Sequence, residues 1–358
     1  MRFAIAVNLL RRSPDQSMAD VAAQALELVT YADQAGFEVA WAAEHHTIEY
    51  TIAPNPLTLL VHWAAHTRRI RLGTAVLVAP YWHPIALAGE VGLADVLTGG
   101  RLEIGFGRGA YQYEFDRLAG GMPQVEGGRY LRELIPAVKR LWAGDYAHDG
   151  QIWRFPRTTA VPKPLQHPHP PLWVAARDPE TYDFAVKEGL HIMATPLSKP
   201  FAEVQNLAGK LATALAANPG RPRPRFMVLR TTYVYDDPEG WRAPVEVAEE
   251  HLRVFDGLFY NAAGVIDGFP TPLGREEYAA RGGLSHEAIR ENLLFGTPDE
   301  VVTRLRAYEA LGVALYCYGA TFGLPHELAM RSLELFATKV MPHFGNHDGA
   351  APPASPGP

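Results

Sequence analysis

The chain has 358 residues, 47% of them hydrophobic, which is enough for one large hydrophobic core or two modest ones. Its 33 Lys and Arg against 39 Asp and Glu give a net charge of -6, and the absence of any basic run or stripe argues against nucleic acid as a partner. Cys317 is the single cysteine, which excludes an intrachain disulfide, a thiolate zinc site and an iron–sulfur cluster, and fits a reducing cytoplasm.

Short apolar runs alternate along the chain with longer amphipathic ones, a pattern typical of strand–helix units and a parallel sheet. The predicted strands are residues 3–9, 37–43, 70–78, 101–106, 172–176, 189–194, 225–235 and 313–319. Eight strands with helices between them in about 340 residues predict one (β/α)8 TIM barrel over residues 1–344, with insertions. A doubly wound sheet is the alternative. We expect neither a signal peptide nor a membrane span.

Helix signals agree with this count. Apolar residues recur three and four positions apart from Met18 to Ala32, and again from Met330 to Val340. The string "TPDE" at 297–300 reads as a capping box with proline at the first helical position, and "DPET" at 178–181 and "DPEG" at 237–240 predict similar helix starts. The small, polar, proline-rich residues 345–358 predict a disordered tail.

Two insertions interrupt the repeat. Residues 145–171 combine a predicted Asp-Gly hairpin with a proline-rich extended connector. The link between the last two strands includes residues 261–290, which are rich in Gly, Pro and charge and show little apolar periodicity. Because little burial would offset the entropy of ordering it, we expect this segment to be a mobile lid.

The string "EHH" at 44–46 follows the second predicted strand, and barrel active sites lie at that end of the strands. Strand alternation lets at most one of His45 and His46 face the barrel mouth, so a catalytic base and a hydrogen-bonded loop pair both remain open. A metal site is disfavoured, because the helical pair His62 and His66 lacks the glutamate of the zinc-protease pattern and a third ligand.

A glycine-rich turn, "EIGFGRGAYQYEF" at 103–115, follows the fourth strand. Gly105, Gly107 and Gly109 leave backbone N–H groups accessible beside Arg108, which suits an anion such as phosphate. The spacing is not that of a dinucleotide-binding fingerprint. A tight turn with a solvated arginine is the alternative.

Several strings, in order and spacing, resemble those of the flavin-dependent luciferase-like monooxygenases, in particular the bacterial luciferase alpha subunit. They are "EHH", "IRLGTAVLVAPYWHP", "GRLEIGFGRGAYQYEF", "FGTPDEVVTRL" and "RSLELFATKVMPHF". The resemblance covers about residues 3–344. It implies a (β/α)8 barrel that binds reduced FMN supplied by a separate reductase, reacts it with oxygen, and uses the resulting flavin hydroperoxide on a substrate.

The resemblance also implies roles for individual residues. His45 matches the family's catalytic histidine and His46 its neighbour, while Arg108 matches the arginine on the FMN phosphate. The pair Ala75 and Val76 matches a non-proline cis peptide behind the isoalloxazine ring.

Other positions depart from the family pattern. Gly107 stands where luciferase has a reactive cysteine near the ring. The phosphate-binding Glu-Ser stretch after strand five is here Ala176, Arg177 and Asp178, with Thr181 nearby, so Arg177 is expected to add a second cation. Together with Gly109 these residues complete the predicted flavin site.

The function expected from this resemblance is a two-component FMN-dependent monooxygenase acting on a small apolar organic substrate. Its histidine is suited to proton transfer near neutral pH, and aromatic residues, Trp41, Tyr81, Trp82, Tyr111 and Tyr113, are expected around the mouth. The alternatives are a deazaflavin-dependent oxidoreductase of the same barrel superfamily and a non-catalytic flavin-binding partner subunit. We expect a homodimer formed through the apolar segments 57–66 and 85–97.

Overall fold

A computed structural model describes residues 1–345, so the predicted tail lies, except for Gly345, outside the described residues. The strands are Arg2–Ala6 (β1), Val39–Ala42 (β2), Arg71–Val78 (β3), Leu102–Gly107 (β4), Tyr146–Asp149 (β5), Arg154–Thr158 (β6), Leu172–Ala175 (β7), His191–Ala194 (β8), Phe226–Val234 (β9), Val265–Ile266 (β10), Phe269–Pro270 (β11), Leu294–Gly296 (β12) and Leu315–Gly319 (β13). The α-helices are Met18–Ala35 (α1), Pro56–His66 (α2), Pro84–Leu97 (α3), Gln112–Leu118 (α4), Gly127–Ala143 (α5), Pro179–Glu188 (α6), Phe201–Ala217 (α7), Arg242–Phe259 (α8), Arg275–Ala280 (α9), His286–Asn292 (α10), Pro298–Ala310 (α11) and His326–Leu335 (α12).

Eight parallel strands close into a barrel in the order β1, β2, β3, β4, β7, β8, β9, β13. The closing pair is β13 with β1, where Phe3 lies opposite Tyr316. The eight predicted strands are these eight barrel strands, so the barrel prediction is confirmed and the doubly wound alternative is wrong. The short strand β12 pairs with the end of β9 and adds a ninth strand outside the closed circle.

Local signals set most of the helix starts. Thr297 and Glu300 form the predicted capping box at the start of α11, and the Asp178 carboxylate accepts a hydrogen bond from the Thr181 N–H at the start of α6. The prediction for residues 237–240 is wrong. There Asp237 accepts from the Glu239 N–H within a turn, and α8 begins only at Arg242.

Two tryptophans fill the barrel interior. Trp41 and Trp173 are fully buried and meet edge to face with ring centroids 5.5 Å apart. Gly73 on β3 permits this packing, because a Cβ there would overlap the Trp41 indole. At the N-terminal end of the barrel the Trp173 N–H donates to buried Glu103, which also pairs with Arg71 at 2.6 Å. That end is therefore closed by packing and paired charge.

The first insertion contains the predicted hairpin, formed by β5 and β6 with residues 150–153 as its loop. Glu133 on α5 holds this loop, since its carboxylate accepts from the backbone N–H groups of Gln151, Ile152 and Trp153. The hairpin is therefore held against the barrel by hydrogen bonds to α5, in addition to the local conformation of its turn.

Residues 261–290 form the β10–β11 hairpin, α9 and the start of α10. Most of these residues are exposed or half-buried, as expected, but Leu273, Tyr278 and Ile289 are buried in a small core shared with α8. The hairpin contacts the loop after β2, where the Glu49 N–H donates to the Gly268 carbonyl at 2.7 Å. Opening of this segment as a lid stays a prediction. Within residues 1–345, no helix is long and apolar enough to span a membrane.

Candidate active site

A cavity of about 250 Å³ opens at the C-terminal ends of the barrel strands. Its walls come from barrel strands, from the loops after β2 and β8, and from α8, which crosses the mouth. The lining residues that carry the argument below are Trp41, His45, Tyr50, Ala75, Tyr111, His251 and Phe255. None of the lining residues is Asp, Glu, Lys or Arg, so the wall carries no permanent charge.

His45 lies at this cavity, and a buried carboxylate fixes its ring. Its Nδ1 lies 3.1–3.2 Å from the two carboxylate oxygens of Glu114 on α4, and one of these oxygens, Oε1, also accepts from the His46 backbone N–H at 2.6 Å. Because a carboxylate only accepts, Nδ1 carries the proton and Nε2 is left free to exchange one. The His45 ring stacks on Tyr111 with centroids 4.8 Å apart.

His46 faces away from the cavity and belongs to a supporting network. Its Nε2 lies 2.9 Å from Glu44, whose buried carboxylate also accepts from the Val78 N–H and the Trp82 indole N–H. These contacts tie the loop after β2 to the end of β3. The two histidines therefore divide, as strand alternation predicts, into one at the cavity and one behind it.

The predicted flavin wall lies beside His45. The peptide bond between Ala75 and Val76 is cis, as the resemblance implies, and Ala75 lines the cavity. Gly107 lies so close to Val76 that a Cβ at this glycine would overlap the Val76 side chain. Packing against β3 therefore requires glycine at position 107.

Two arginines meet at the ends of β4 and β7. Burial is the main cause that lowers the pKa of Arg177; the Glu203 charge opposes this shift, and the nearby Arg108 charge adds to it. Neither guanidinium forms an ion pair with a carboxylate in the part of the chain that the structure describes. Gly109, with φ of +89°, adopts the left-handed conformation that turns the chain at Arg108. Two neighbouring cations suit a bound phosphate, and the charges of Glu203 and Asp178 lie near them.

Ala176 and Thr181 are less available to a ligand than predicted. The Ala176 N–H donates to the Met193 carbonyl, and the Thr181 hydroxyl donates to Asp178 at 2.8 Å. Burial raises the pKa of Asp178, but hydrogen bonds from Thr181 and from its own backbone N–H, together with the Arg108 charge, lower that pKa overall, so the carboxylate is ionised at the start of α6. A phosphate would meet this negative charge at the helix terminus. A direct contact of these two residues with flavin stays a prediction.

Of the five predicted mouth aromatics, only Trp41 and Tyr111 line the cavity. Tyr81 lies behind His46, and the Tyr113 ring faces the Arg117 guanidinium at 3.5 Å. The wall is completed instead by Tyr50 and residues of α8.

Sequence reasoning missed three residues of the site: Glu114, Tyr50 and His251. Glu114 had a signal, since it is the carboxylate in the aromatic run 111–115 that follows the last glycine of the turn. Tyr50 and His251 had none, because their positions depend on how the insertion after β9 crosses the mouth. Among residues 1–345 no group of three His, Cys, Asp or Glu side chains could hold a metal ion.

Comparison with known proteins gives a consistent picture. The family model described as luciferase-like monooxygenase matches residues 1–315. The oxygenase component of the flavin-dependent trigonelline monooxygenase of Acinetobacter baylyi is 42% identical over 344 residues, covering 96% of each chain.

Two solved structures are similar along their length. A monooxygenase from Streptomyces bottropensis has a TM-score of 0.81 and 28% identity, covering 96% of this chain and 100% of that one. The oxygenating constituent of 3,6-diketocamphane monooxygenase from Pseudomonas putida, in complex with FMN, has a TM-score of 0.76 and 18% identity, covering 96% and 98%. The second likeness concerns the fold alone.

Proposed function

The chain belongs to the luciferase-like monooxygenase family, and we propose from this that it is the oxygenase component of a two-component flavin-dependent monooxygenase. It takes reduced FMN from a separate flavin reductase and uses molecular oxygen to oxygenate a small organic molecule. Residues 1–344 act as one catalytic domain. The cytoplasm, where the buried thiol of Cys317 stays reduced, is the expected compartment.

The observation that carries the proposal is the His45–Glu114 pair at the cavity. Reduced flavin, when bound, supplies the electrons that activate oxygen. Glu114 holds the Nδ1 proton of His45, so Nε2 moves the proton that oxygen transfer requires. Burial, and then the Glu114 charge, raise the pKa of Tyr111, so its stacked ring stays a neutral phenol at neutral pH.

The flavin is held at its two ends. Arg108 and Arg177 would hold the phosphate, and the wall formed by Ala75, Val76 and Gly107 would receive the isoalloxazine ring. One compact cationic site suits the single phosphate of FMN better than the longer diphosphate of FAD. The same site also suits the phosphate of a deazaflavin, and anaerobic titration separates the two cofactors.

The substrate is expected to be small and without a net charge, because no permanently charged side chain lines the cavity. Trp41, Tyr111 and Phe255 offer apolar and aromatic surface for a ring. Trigonelline, the compound that names the 42%-identical relative, is a zwitterion without a net charge, and it is tested beside uncharged ring compounds that carry a carbonyl, hydroxyl or amide group.

The deciding experiment compares flavins and one variant. Anaerobic titration should show reduced FMN binding more tightly than FAD or a deazaflavin, and exposure to air with substrate should give product. His45→Ala should keep flavin affinity but lower product formation by roughly 10²–10⁴-fold, the usual range for acid–base catalysis. Tight binding of a deazaflavin with none of FMN, or full turnover by His45→Ala, would contradict the proposal.

A homodimer is the expected assembly. The exposed apolar residues near the predicted interface lie on α3 and on the connector packed against it, rather than on α2: they are Leu93, Val96, Leu97, Val161 and Leu165, each 45–78% exposed. Such a patch is typical of an interface. Light scattering should report a dimer that Leu93→Glu separates and Leu328→Glu, on distant α12, does not. A monomeric wild-type protein would contradict the expected homodimer.

A further inference from the structure

A second polar pair lies on the cavity wall, apart from His45. His251 on α8 and Tyr50 in the loop after β2 both line the cavity, and His251 Nε2 lies 2.8 Å from the Tyr50 hydroxyl oxygen. The two rings stack with centroids 4.8 Å apart and 30° between their planes. Stacking and hydrogen bonding together hold the imidazole in one orientation.

Hydrogen-bond accounting leaves one imidazole nitrogen free. The Tyr50 hydroxyl also lies 3.2 Å from the His251 carbonyl oxygen, which can only accept. If the hydroxyl donates there, Nε2–H donates to Tyr50 and Nδ1 is an acceptor; if the hydroxyl donates to Nε2, Nδ1–H is a donor. In both tautomers Nδ1 has no partner among residues 1–345.

The pair is uncharged at neutral pH. Burial, and then the nearby Arg12 cation, lower the pKa of His251 to about 3, so the ring is neutral. The rest of the cavity wall likewise lacks Asp, Glu, Lys and Arg. A neutral donor or acceptor in such a wall favours a hydrogen bond to an uncharged polar group over an ion pair.

The pair is linked to His45 through packed rings. Phe255, one helical turn after His251, meets Tyr111 edge to face with centroids 6.3 Å apart, and Tyr111 stacks on His45. These residues line one cavity. A small molecule held by α8 therefore lies within the same enclosure as the proton-transfer group.

We propose that Tyr50 and His251 determine substrate specificity: the free His251 nitrogen hydrogen-bonds an uncharged carbonyl, hydroxyl or amide group of the substrate, and Tyr50 fixes the ring for this contact. The proposal rests on the proposed oxygenase function. It goes beyond it by assigning the polar end of the substrate to α8, away from the flavin phosphate site.

Three substitutions test the contact. Tyr50→Phe keeps the stacked ring and removes the hydroxyl, His251→Leu removes both nitrogens, and His251→Asn restores a polar atom near the Nδ1 position. We expect the first two to raise KM for the substrate by at least about 10-fold with kcat within a few-fold, and His251→Asn to recover most of that loss. Reduced-FMN affinity should stay within about twofold of wild type. Tyr130→Phe, on distant α5, is the matched control.

A substrate analogue in which hydrogen replaces the polar group separates contact from structure. The wild-type protein should bind the analogue more weakly than the substrate, by the same factor as the His251→Leu substitution weakens binding of the substrate. The His251→Leu variant should bind analogue and substrate equally. An unchanged KM in His251→Leu, an equal loss for the analogue in both proteins, or a parallel loss of FMN affinity would each overturn the proposal. Failure of the oxygenase function is distinguishable, because wild type would then form no product from any compound. Anaerobic equilibrium binding of the same pair of ligands would still decide the role of His251.

Discussion

Exchanging Glu114 for glutamine tests how the protein controls its catalytic histidine. The amide oxygen can keep the 2.6 Å hydrogen bond from the His46 N–H, which is the shortest contact of the Glu114 carboxylate with the two histidines. The amide NH2 group then faces His45 Nδ1, which has to accept instead of donate. The imidazole proton moves to Nε2, and the atom that should accept a proton at the cavity no longer can.

The size of the effect follows from these contacts. Losing a residue that orients a functional histidine typically costs about 10–100-fold, and forcing the wrong tautomer costs up to roughly 10⁴-fold. We therefore expect the product-forming kcat of Glu114→Gln to fall by about 10²–10³. The free energy of unfolding should fall by only about 1–3 kcal/mol, because one of two buried hydrogen bonds survives.

The assay is steady-state product formation with excess reduced FMN, combined with anaerobic FMN titration and denaturant unfolding. Asp116→Asn is the matched control, since Asp116 lies on the same helix, is exposed, and accepts a hydrogen bond from the Gln112 side chain. Reduced-FMN affinity should not change in either variant. If Glu114→Gln keeps kcat within about threefold of wild type, the tautomer of His45 does not matter and the proton-transfer role assigned to Nε2 is refuted.

Arg108→Ala should weaken reduced-FMN binding by about 10–100-fold, because a charge-assisted hydrogen bond contributes roughly 1.5–3 kcal/mol. Unchanged affinity in anaerobic titration would show that Arg108 does not bind the phosphate. Gly107→Ala should lose about 1–3 kcal/mol of unfolding free energy by overlapping Val76, and adding Val76→Ala should recover most of it; denaturant melts that show no loss, or no recovery, would contradict this packing. Burial, and then the Arg225 cation, lower the pKa of His191 to about 4, so the unfolded chain binds the proton first as pH falls below about 6.5. Its contribution to stability is complete above that pH and should fall by roughly 1–2 kcal/mol by pH 5; a His191→Gln variant with the same acid sensitivity as wild type would refute it.

The fold could be predicted well from the sequence because its signals are local. Strand runs such as 70–78 and caps such as Thr297 with Glu300 depend on neighbours in the chain. The turn at 237–240 shows the limit. Asp-Pro is compatible with both a helix start and a turn, and here the Asp237 carboxylate accepts from the Glu239 N–H and closes a turn.

The candidate site could be predicted only where it is built from one strand end. His45 and Arg108 follow β2 and β4 directly, so their places follow from the barrel rule. His251 lies about 200 residues from Tyr50 along the chain, and no local pattern couples them. Likewise, Tyr278 is buried in a core shared with α8, and the Gly- and Pro-rich composition of residues 261–290 gives no indication of that core.

Oxygen incorporation tests the central claim most directly. The protein is mixed anaerobically with chemically reduced FMN and trigonelline, and isotopically labelled oxygen gas is then admitted. If the chain is a flavin-dependent oxygenase, mass spectrometry finds one labelled oxygen atom in the organic product, formed in proportion to the FMN oxidised. If labelled oxygen appears only in hydrogen peroxide with trigonelline and with a panel of small uncharged ring compounds, the account is contradicted.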